Sequence, residues 1–422
     1  MKLSSLIGHV TELAAEVHGS PKPADRHIDL FFRSRKYLGS KDRRFIAETV
    51  YGMLRHRTRI AWMLSETGIP EEERSRCAAY LLLSTSATSE ELAEVTGYPV
   101  ALMENLRTTA TVTPPVPAVA YSFQDWMLEQ WTRVWGADET AALCSVMNTQ
   151  ALMTIRVNTI RISREECRQA LLREGIETEP SKLSPFGLHL KRRTNLFQLT
   201  AFKDGLFEVQ DEGSQLLALL VDPKPGSKVV DACAGAGGKA LAMAAVMKNR
   251  GEIFALDVHS YRLDELRKRI KRSGVDTIRA AVINEGETLP KLLGTADAVL
   301  VDAPCSGSGT IRRNPGMKWS ITRQMIGELQ QKQSSILALN AQYVKPGGRL
   351  VYATCSLMTE ENEGIAQQFL SLHPGFSLVP PAAILDRYGL AHIAPKEYFQ
   401  LLPQRYDTDG FFAAVFQRNI AP

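Results

Sequence analysis

The sequence predicts an α/β protein in which an all-α domain and a small α+β module precede an open, doubly wound parallel sheet. After about residue 223, short apolar runs alternate with helical segments, which is typical of a buried parallel sheet. Before about residue 106, apolar residues recur only at helical spacing. The chain of 422 residues is also longer than one hydrophobic core usually organises. The expected domains are residues 1–145, 146–222 and 223–422.

The first domain is expected to be helical throughout. Its clearest amphipathic segment is 44–54, and no strand-like alternation interrupts the region. The proline-rich run 113–117 breaks the helices, and a further helical stretch follows from 123 to 147. We interpret that stretch as a connector.

The second region has the pattern of a small α+β module. A β-rich piece at 153–157 precedes a helix predicted over 163–174. Ser163 is a suitable N-cap for this helix, and Glu166, three residues later, completes the capping-box spacing.

The last region alternates strands with helices. The predicted buried strands are Lys228–Asp231, Glu252–Asp257, Thr277–Ile283, Ala298–Asp302 and Arg349–Thr354. A final candidate, Phe411–Phe416, lacks a crossover helix long enough to indicate a parallel strand. This pattern predicts a sheet whose carboxyl edge carries the ligand site.

Composition narrows the class of protein. The formal net charge is only +4, so a polyanionic partner has to be held by local basic patches. The six cysteines are too scattered for a disulfide scaffold, and none forms the paired spacing of a zinc site, so no metal is expected. No apolar run approaches the roughly 18 to 20 residues that span a bilayer. We therefore expect a cytoplasmic monomer that has no membrane partner.

A glycine-rich turn follows the first predicted strand of the sheet. The turn consists of Cys233, Ala234, Gly235, Ala236, Gly237, Gly238 and Lys239. A phosphate-binding P-loop would need glycine in place of Cys233 and a hydroxyl residue in place of Ala240. A dinucleotide fingerprint would need its third glycine at Ala240, which weakens that alternative. A bulky nucleoside lying on a bare backbone remains, and this pattern favours S-adenosylmethionine.

Asp257 ends the second predicted strand, about 20 residues after the turn, where a carboxylate can accept hydrogen bonds from ribose hydroxyls. A structural reading of each element stays open. A glycine-rich turn often only lets a helix approach a strand, and an aspartate at a strand end is often a helix cap. Only their combination indicates a nucleoside site.

Two cysteines, Cys305 and Cys355, follow predicted strands of the same sheet and are flanked by small residues. A thiolate that adds to carbon 6 of cytosine makes carbon 5 nucleophilic towards a methyl sulfonium. This chemistry also needs an acid near ring nitrogen 3 and a base for the carbon 5 proton, for which Asp302 and the second cysteine are candidates. A lone cysteine is more often a small buried hydrophobe, which is our interpretation of Cys77, Cys144 and Cys167.

At these residues the chain resembles a known family. The motifs that carry the resemblance are Asp302-Ala303-Pro304-Cys305-Ser306-Gly307-Ser308-Gly309, Tyr352-Ala353-Thr354-Cys355-Ser356, the stretch from Arg312-Arg313-Asn314-Pro315 to Trp319, and Asp409-Gly410-Phe411-Phe412. They are similar to RNA cytosine carbon-5 methyltransferases of the Sun/Fmu/nucleolar-protein-2 type, and within that family to bacterial ribosomal RNA enzymes with an N-terminal NusB-like domain. The resemblance covers nearly the whole chain and implies a Rossmann-like methyltransferase core.

The resemblance also implies roles for individual residues. It makes Cys355 the residue that adds to carbon 6 and Cys305 the one that assists release of the methylated base. It implies cofactor contacts from the turn at 233–239, from Asp257 and from Asp302, with Arg262 near the ribose. Two positions depart from the family's pattern. The turn has Gly235-Ala236 in place of Ala-Pro, and Asn284 stands where the family has an aspartate that binds adenine.

The NusB-like resemblance implies that the helical domain binds RNA, with ribosomal RNA as the expected partner. The candidate phosphate-facing residues are Arg33, Arg35, Arg55, Arg57, Arg59 and the run Lys191-Arg192-Arg193. The basic run 267–272 is equally consistent with a solvated surface. Two alternative functions stay open: a nicotinamide-dependent thiol dehydrogenase, and an RNA-binding assembly factor with a vestigial methyltransferase fold.

Overall fold

The computed structural model of the protein describes residues 1–18, 20, 23–394 and 397–420. The strands are β1 (Thr154–Val157), β2 (Thr178–Pro180), β3 (Gly187–Leu190), β4 (Phe207–Val209), β5 (Lys228–Asp231), β6 (Glu252–Asp257), β7 (Ile278–Val282), β8 (Ala296–Asp302), β9 (Val344–Thr354), β10 (Phe376–Leu378), β11 (Phe399–Leu401) and β12 (Phe411–Arg418). The α-helices are α1 (Leu3–His18), α2 (Ala24–Ser34), α3 (Ser40–Arg55), α4 (Arg57–Thr67), α5 (Glu73–Ser84), α6 (Ser89–Thr96), α7 (Val100–Thr111), α8 (Pro117–Tyr121), α9 (Asp125–Trp135), α10 (Ala137–Met147), α11 (Arg164–Arg173), α12 (Thr200–Lys203), α13 (Glu212–Val221), α14 (Gly238–Val246), α15 (Ser260–Ser273), α16 (Met317–Ser320), α17 (Arg323–Ala341), α18 (Glu363–Leu372), α19 (Pro381–Leu385) and α20 (Pro403–Tyr406). Short 3-10 helices cover Leu196–Gln198, Pro290–Leu292, Ser308–Thr310, Asp386–Tyr388 and Ala391–Ile393.

The chain forms two compact units. The helical unit consists of Met1–Gln150 together with Ile311–Ile321, and the sheet unit consists of Ala151–Thr310 together with Thr322–Pro422. In the helical unit, α1, α3 and α5 pack on one another around a continuous apolar core. The packing is so close at Gly52 that no side chain would fit there, since a Cβ atom would lie 1.9 Å from the ring of Tyr80.

The inserted segment 311–321 is held in the helical unit by a buried lysine. Lys318 is fully buried, and its Nζ donates to the backbone oxygens of Arg55 and Ser122, each at 3.0 Å, and to Oδ1 of Asn148. Burial and the nearby Arg55 charge lower the pKa of Lys318 well below its usual value. The three oxygen acceptors satisfy the ammonium group and fix the segment in place.

The five candidate arginines of this unit all have partners inside it. Arg33 and Arg35 form ion pairs with Asp29 and Glu12. Arg59 donates to the backbone oxygens of Ala110 and Val112, and Arg55 donates to that of Arg312. The guanidinium of Arg57 lies over the ring of Trp319, 5.5 Å from its centroid. These contacts give the five residues structural roles, while contact with phosphate stays a prediction.

The first part of the sheet unit is an antiparallel four-stranded sheet with the order β2-β3-β1-β4. The helix α11 begins after Ser163, whose side chain accepts from the backbone N–H of Glu166, while the Glu166 side chain accepts from the backbone N–H of Ser163. Both hydrogen bonds of the predicted capping box are therefore present.

The second part is an eight-stranded sheet with the order β10-β12-β9-β8-β5-β6-β7, in which β11 also pairs with β12. The strands from β7 to β9 are parallel, and β12 pairs antiparallel with β9. The chain order reverses between β5 and β8. In sheets of this kind, ligands bind at the carboxyl ends of the strands beside such a reversal.

The predicted fold class is confirmed. Strands β5 and β6 have the predicted bounds, whereas β8 and β9 begin earlier than the apolar pattern indicated, at Ala296 and Val344. The helical stretch 123–147 is two helices, because Gly136 has a φ of 85° and ends α9. It belongs to the helical unit.

Across the described ranges, no helix is long and apolar enough to cross a bilayer. The same residues contain no group of three or more His, Cys, Asp or Glu side chains that could hold a metal ion.

Candidate active site

The glycine-rich turn lies at the carboxyl end of β5, on the edge next to β8. The backbone N–H of Ala234 donates to Leu256 of β6, and that of Gly237 donates back to Ala234. Gly235 and Gly237 have φ angles of 53° and 80°, which favour glycine. A Cβ atom at Gly237 would lie 2.1 Å from Leu266, so this glycine also lets α15 approach the turn.

Asp257, at the end of β6, stabilises this turn through hydrogen bonds to the backbone. Its Oδ2 accepts from the backbone N–H of Gly235 at 2.8 Å, and its Oδ1 accepts from that of His259 at 2.8 Å. Arg262 approaches the same carboxylate to 3.9 Å and is itself exposed. Each carboxylate oxygen keeps one further lone pair for a ligand hydroxyl.

Asn284 follows β7 on the same side of the sheet. It is exposed, and its Nδ2 donates to Oε2 of Glu287 at 2.9 Å, which leaves its Oδ1 available as an acceptor.

Asp231, the last residue of β5, is a buried carboxylate that the sequence analysis did not select. Among the described residues, neither of its oxygens has a hydrogen-bond partner. Burial and the nearby Asp302 charge together raise the pKa of Asp231 to about 7.

Lys239 and Asp302 form an ion pair between the turn and the end of β8. Lys239 Nζ donates to Oδ2 of Asp302 at 2.6 Å. Burial by itself would lower the pKa of Lys239, but the charge and hydrogen bond of Asp302 raise it above its usual value. The pair therefore presents an ammonium group and a carboxylate together at the carboxyl edge.

Cys305 and Cys355 lie side by side, since they follow the adjacent parallel strands β8 and β9. Their Sγ atoms are 3.4 Å apart, and both side chains are partly exposed. The hydrogen bond with Cys355 and burial raise the pKa of Cys305 well above its usual value.

The loops that carry the two cysteines are in backbone contact. The N–H of Gly309 donates to the carbonyl oxygen of Cys355 at 2.9 Å, and a Cβ atom at Gly309 would lie 2.2 Å from the oxygen of Gly410. A glycine at this position therefore permits the close approach. The Asp409-Gly410-Phe411-Phe412 motif supplies the opposing backbone.

The remaining cysteines are suited to packing. Cys77, Cys144 and Cys167 are fully buried, as predicted, and burial raises the pKa of each to about 12. Cys233 lies in the glycine-rich turn, and burial and the surrounding carboxylates raise its pKa.

The basic run on α15 is mostly engaged in ion pairs. Arg269 and Arg272 pair with the buried Glu208, at 3.0 and 2.6 Å. Arg269 also donates to the carbonyl oxygen of Ala236, so it supports the glycine-rich turn. For these two arginines the structure favours the structural alternative.

Two family models match the chain. One, described as 16S rRNA methyltransferase RsmB/F, matches residues 218–417. The other, described as the ferredoxin-like domain of RsmF/B-like methyltransferases, matches residues 123–196.

The chain is similar to proteins from bacteria and from humans. It is 35% identical to a probable ribosomal RNA small subunit methyltransferase B from Synechocystis, over 71% of this chain and 67% of that protein. It is 30% identical to a human 28S rRNA cytosine-C5 methyltransferase, over 71% of this chain and 38% of that protein. A solved structure described as the crystal structure of PH0851 is 28% identical, covers 98% of both chains and has a TM-score of 0.78.

Proposed function

Since the chain belongs to the RsmB/F family of RNA methyltransferases, which use S-adenosylmethionine to methylate carbon 5 of cytosine, we propose that its substrate is small-subunit ribosomal RNA and that Cys355 is its covalent nucleophile. The observation that carries the second part is the pair of sulfur atoms 3.4 Å apart beside the Lys239–Asp302 ion pair. This arrangement supplies a nucleophile, a second thiol and an acid–base pair at one edge of the sheet.

The two thiols take successive parts in the reaction. The Cys355 thiolate adds to carbon 6 of cytosine, and the electron pair of the 5,6 double bond moves to carbon 5, which takes the methyl group. Cys305, in its thiolate form, then takes the proton from carbon 5. The electrons of that C–H bond restore the double bond, and the bond from carbon 6 to Sγ breaks to return the Cys355 thiolate. A raised pKa makes the Cys305 thiolate, once it has formed, a stronger base for this proton.

Asp302 and Lys239 support the addition step. When the thiolate adds to carbon 6, electron density builds up on the ring near nitrogen 3, and a proton or a hydrogen-bond donor there stabilises the adduct. The ammonium group of Lys239, held at 2.6 Å from Asp302, supplies such a donor, and Asp302 keeps it in position.

The residues at the carboxyl edge fit the cofactor. When bound, S-adenosylmethionine supplies an electrophilic methyl group on a sulfonium. The bare turn at 233–239 leaves room for a nucleoside, and Asp257 and Arg262 are suited to the ribose. Asn284 is suited to the adenine.

An Asp257→Ala variant is expected to bind S-adenosylmethionine roughly 10- to 150-fold more weakly, which corresponds to the roughly 1.5 to 3 kcal/mol of a hydrogen bond to a charged group. Affinity is lost for two reasons, because the variant lacks both the ribose contact and the hydrogen bond that Asp257 accepts from Gly235. Titration calorimetry measures it. Asp264→Ala removes only an exposed ion pair with Arg267 and is the matched control. Equal affinities of the two variants would contradict the assignment of Asp257.

The proposed function is tested by methyl transfer to RNA. The purified protein with labelled S-adenosylmethionine is expected to label small-subunit ribosomal RNA, and bisulfite sequencing of RNA from a deletion strain is expected to reveal the target cytosine as unmethylated. Titration with NAD is the control for the dehydrogenase alternative. Cofactor binding without label on any ribosomal RNA would favour the vestigial alternative instead.

A further inference from the structure

A buried glutamate joins the two cysteine loops. Glu361 is fully buried in the segment between β9 and α18. Its Oε1 accepts from the backbone N–H of Ser306 at 2.8 Å and from Nε2 of Gln333 at 2.9 Å. Its Oε2 accepts from the hydroxyls of Ser306 and Ser356, each at 2.5 Å. One carboxylate therefore receives four hydrogen bonds.

These contacts fall directly beside both reactive sulfurs. Ser306 is the residue after Cys305, and Ser356 is the residue after Cys355. A shift of the Glu361 carboxylate would move the backbone that carries each thiol. The loops of the two cysteines have no other charged group in common among the contacts described for them.

The charge of Glu361 is not explained by stability. None of the ion pairs among the described residues includes this side chain, so four neutral donors alone compensate it. A buried charge without an opposite charge is unfavourable, and apolar residues of similar volume often give an equally stable core. A carboxylate that breaks this rule next to a reactive pair indicates a function.

We propose that Glu361 is a positioning residue that binds both cysteine loops and thereby sets Cys305 and Cys355 at the distance and orientation that their successive steps require. The proposal rests on the roles given above to the two thiols. It gives the carboxylate no direct contact with RNA or cofactor.

The charge of Glu361 also acts on the Cys305 thiol. Together with the hydrogen bond to Cys355 and burial, the negative charge of Glu361 helps to raise the pKa of the Cys305 thiol. It therefore makes the Cys305 thiolate harder to form and a stronger base once it has formed. An amide at position 361 would keep the hydrogen bonds and lose this charge.

The two serine variants give the sharpest test, because each one removes the hydroxyl hydrogen bond that a single loop donates to Glu361. The two hydroxyls also lie 3.2 Å from each other, a contact that both variants remove. Ser356→Ala is expected to slow formation of the covalent RNA adduct about tenfold, the effect of losing one hydrogen bond to a charged group. Ser306→Ala keeps its backbone hydrogen bond and is expected to form the adduct at the normal rate but to release product about tenfold more slowly. Quenched-flow kinetics with denaturing gels separates the two steps.

Variants of Glu361 itself separate geometry from charge. Glu361→Ala is expected to slow adduct formation at least about 100-fold, with cofactor affinity unchanged within about twofold. Glu361→Gln is expected to return adduct formation to within about tenfold of the natural protein, because the amide oxygen can accept from the N–H donors while the NH₂ group donates to the two hydroxyls. Release by Glu361→Gln should change its pH profile, since the charge near Cys305 is gone.

A control variant accounts for lost stability. Tyr343→Phe also removes one buried hydrogen bond, from the N–H of Leu289, at the opposite end of β9. It is expected to lower Tm without changing either step. The proposal is overturned if both serine variants slow both steps equally. It is also overturned if Glu361→Ala slows the two steps no more than Tyr343→Phe does at a comparable loss of Tm. If Cys355→Ala still forms the adduct, the proposed function fails instead.

Discussion

A Cys355→Ala variant is expected to form no covalent complex with RNA and to lose methyl transfer by roughly four orders of magnitude or more, since it lacks the nucleophile of the reaction. A Cys305→Ala variant is expected to fail later. Its Cys355 can still add to carbon 6 and carbon 5 can still take the methyl group, but the second thiol is absent when the adduct has to break down. This variant should methylate once and stay attached to its RNA.

Denaturing gels of each variant with RNA and labelled S-adenosylmethionine measure the difference. Cys77→Ala, which changes a fully buried thiol of the helical unit, is the control and should turn over normally if it remains folded. A trapped, labelled adduct in Cys355→Ala and none in Cys305→Ala would reverse the assignment. It would match the DNA cytosine methyltransferases, which attack with the cysteine of a Pro-Cys motif.

Deletion of residues 1–150 is expected to keep cofactor affinity within about threefold but to lower methylation of ribosomal RNA by roughly 1,000-fold, the low end of the gap between specific and non-specific nucleic-acid binding. The residues assigned to the cofactor all lie in the sheet unit, whereas the helical unit, through its resemblance to NusB-like domains, is expected to bind RNA. Calorimetry and a methyl-transfer assay measure the two effects. Normal methylation by the truncated protein would show that the helical unit is dispensable for recognition.

The truncation needs a second variant, because the inserted segment 311–321 loses its partners with the helices. Lys318 would be left without the three oxygens that bind its ammonium group. A truncation that also replaces 311–321 with an equally long glycine–serine linker removes this apolar and charged segment. If only this second form stays soluble, the comparison of affinity and activity is made with it.

The sequence predicted the site where local pattern and chain order are enough. A strand that ends in a bare turn can be recognised from residues in one run, and β5 and β6 have the predicted bounds. The location of Cys305 and Cys355 at one edge also follows from sequence, because both come after strands of one parallel sheet, whereas their direct adjacency depends on the pairing of β8 with β9. Their carboxyl ends meet at one edge.

The residues that were missed depend on tertiary contacts. Glu361 lies in an acidic stretch that looks like a solvated surface, and only the fold brings it between Ser306 and Ser356. Asp231 looks like the ordinary end of a strand, and its lack of partners becomes visible only when its neighbours are known. The length of β9 was underestimated because Lys345 to Gly348 interrupts its apolar pattern.

The helical unit is formed by two segments that are far apart in the sequence, and this affects how it assembles during synthesis on the ribosome. The ten helices up to α10 emerge first, but the segment 311–321 that completes their unit follows about 170 residues later. At translation rates of roughly 5 to 20 residues per second, this delay is about 10 to 30 seconds. During that time the oxygens that later receive Lys318 are open to water. The helical unit of the nascent chain therefore lacks its last segment, 311–321, until most of the sheet unit has been synthesised.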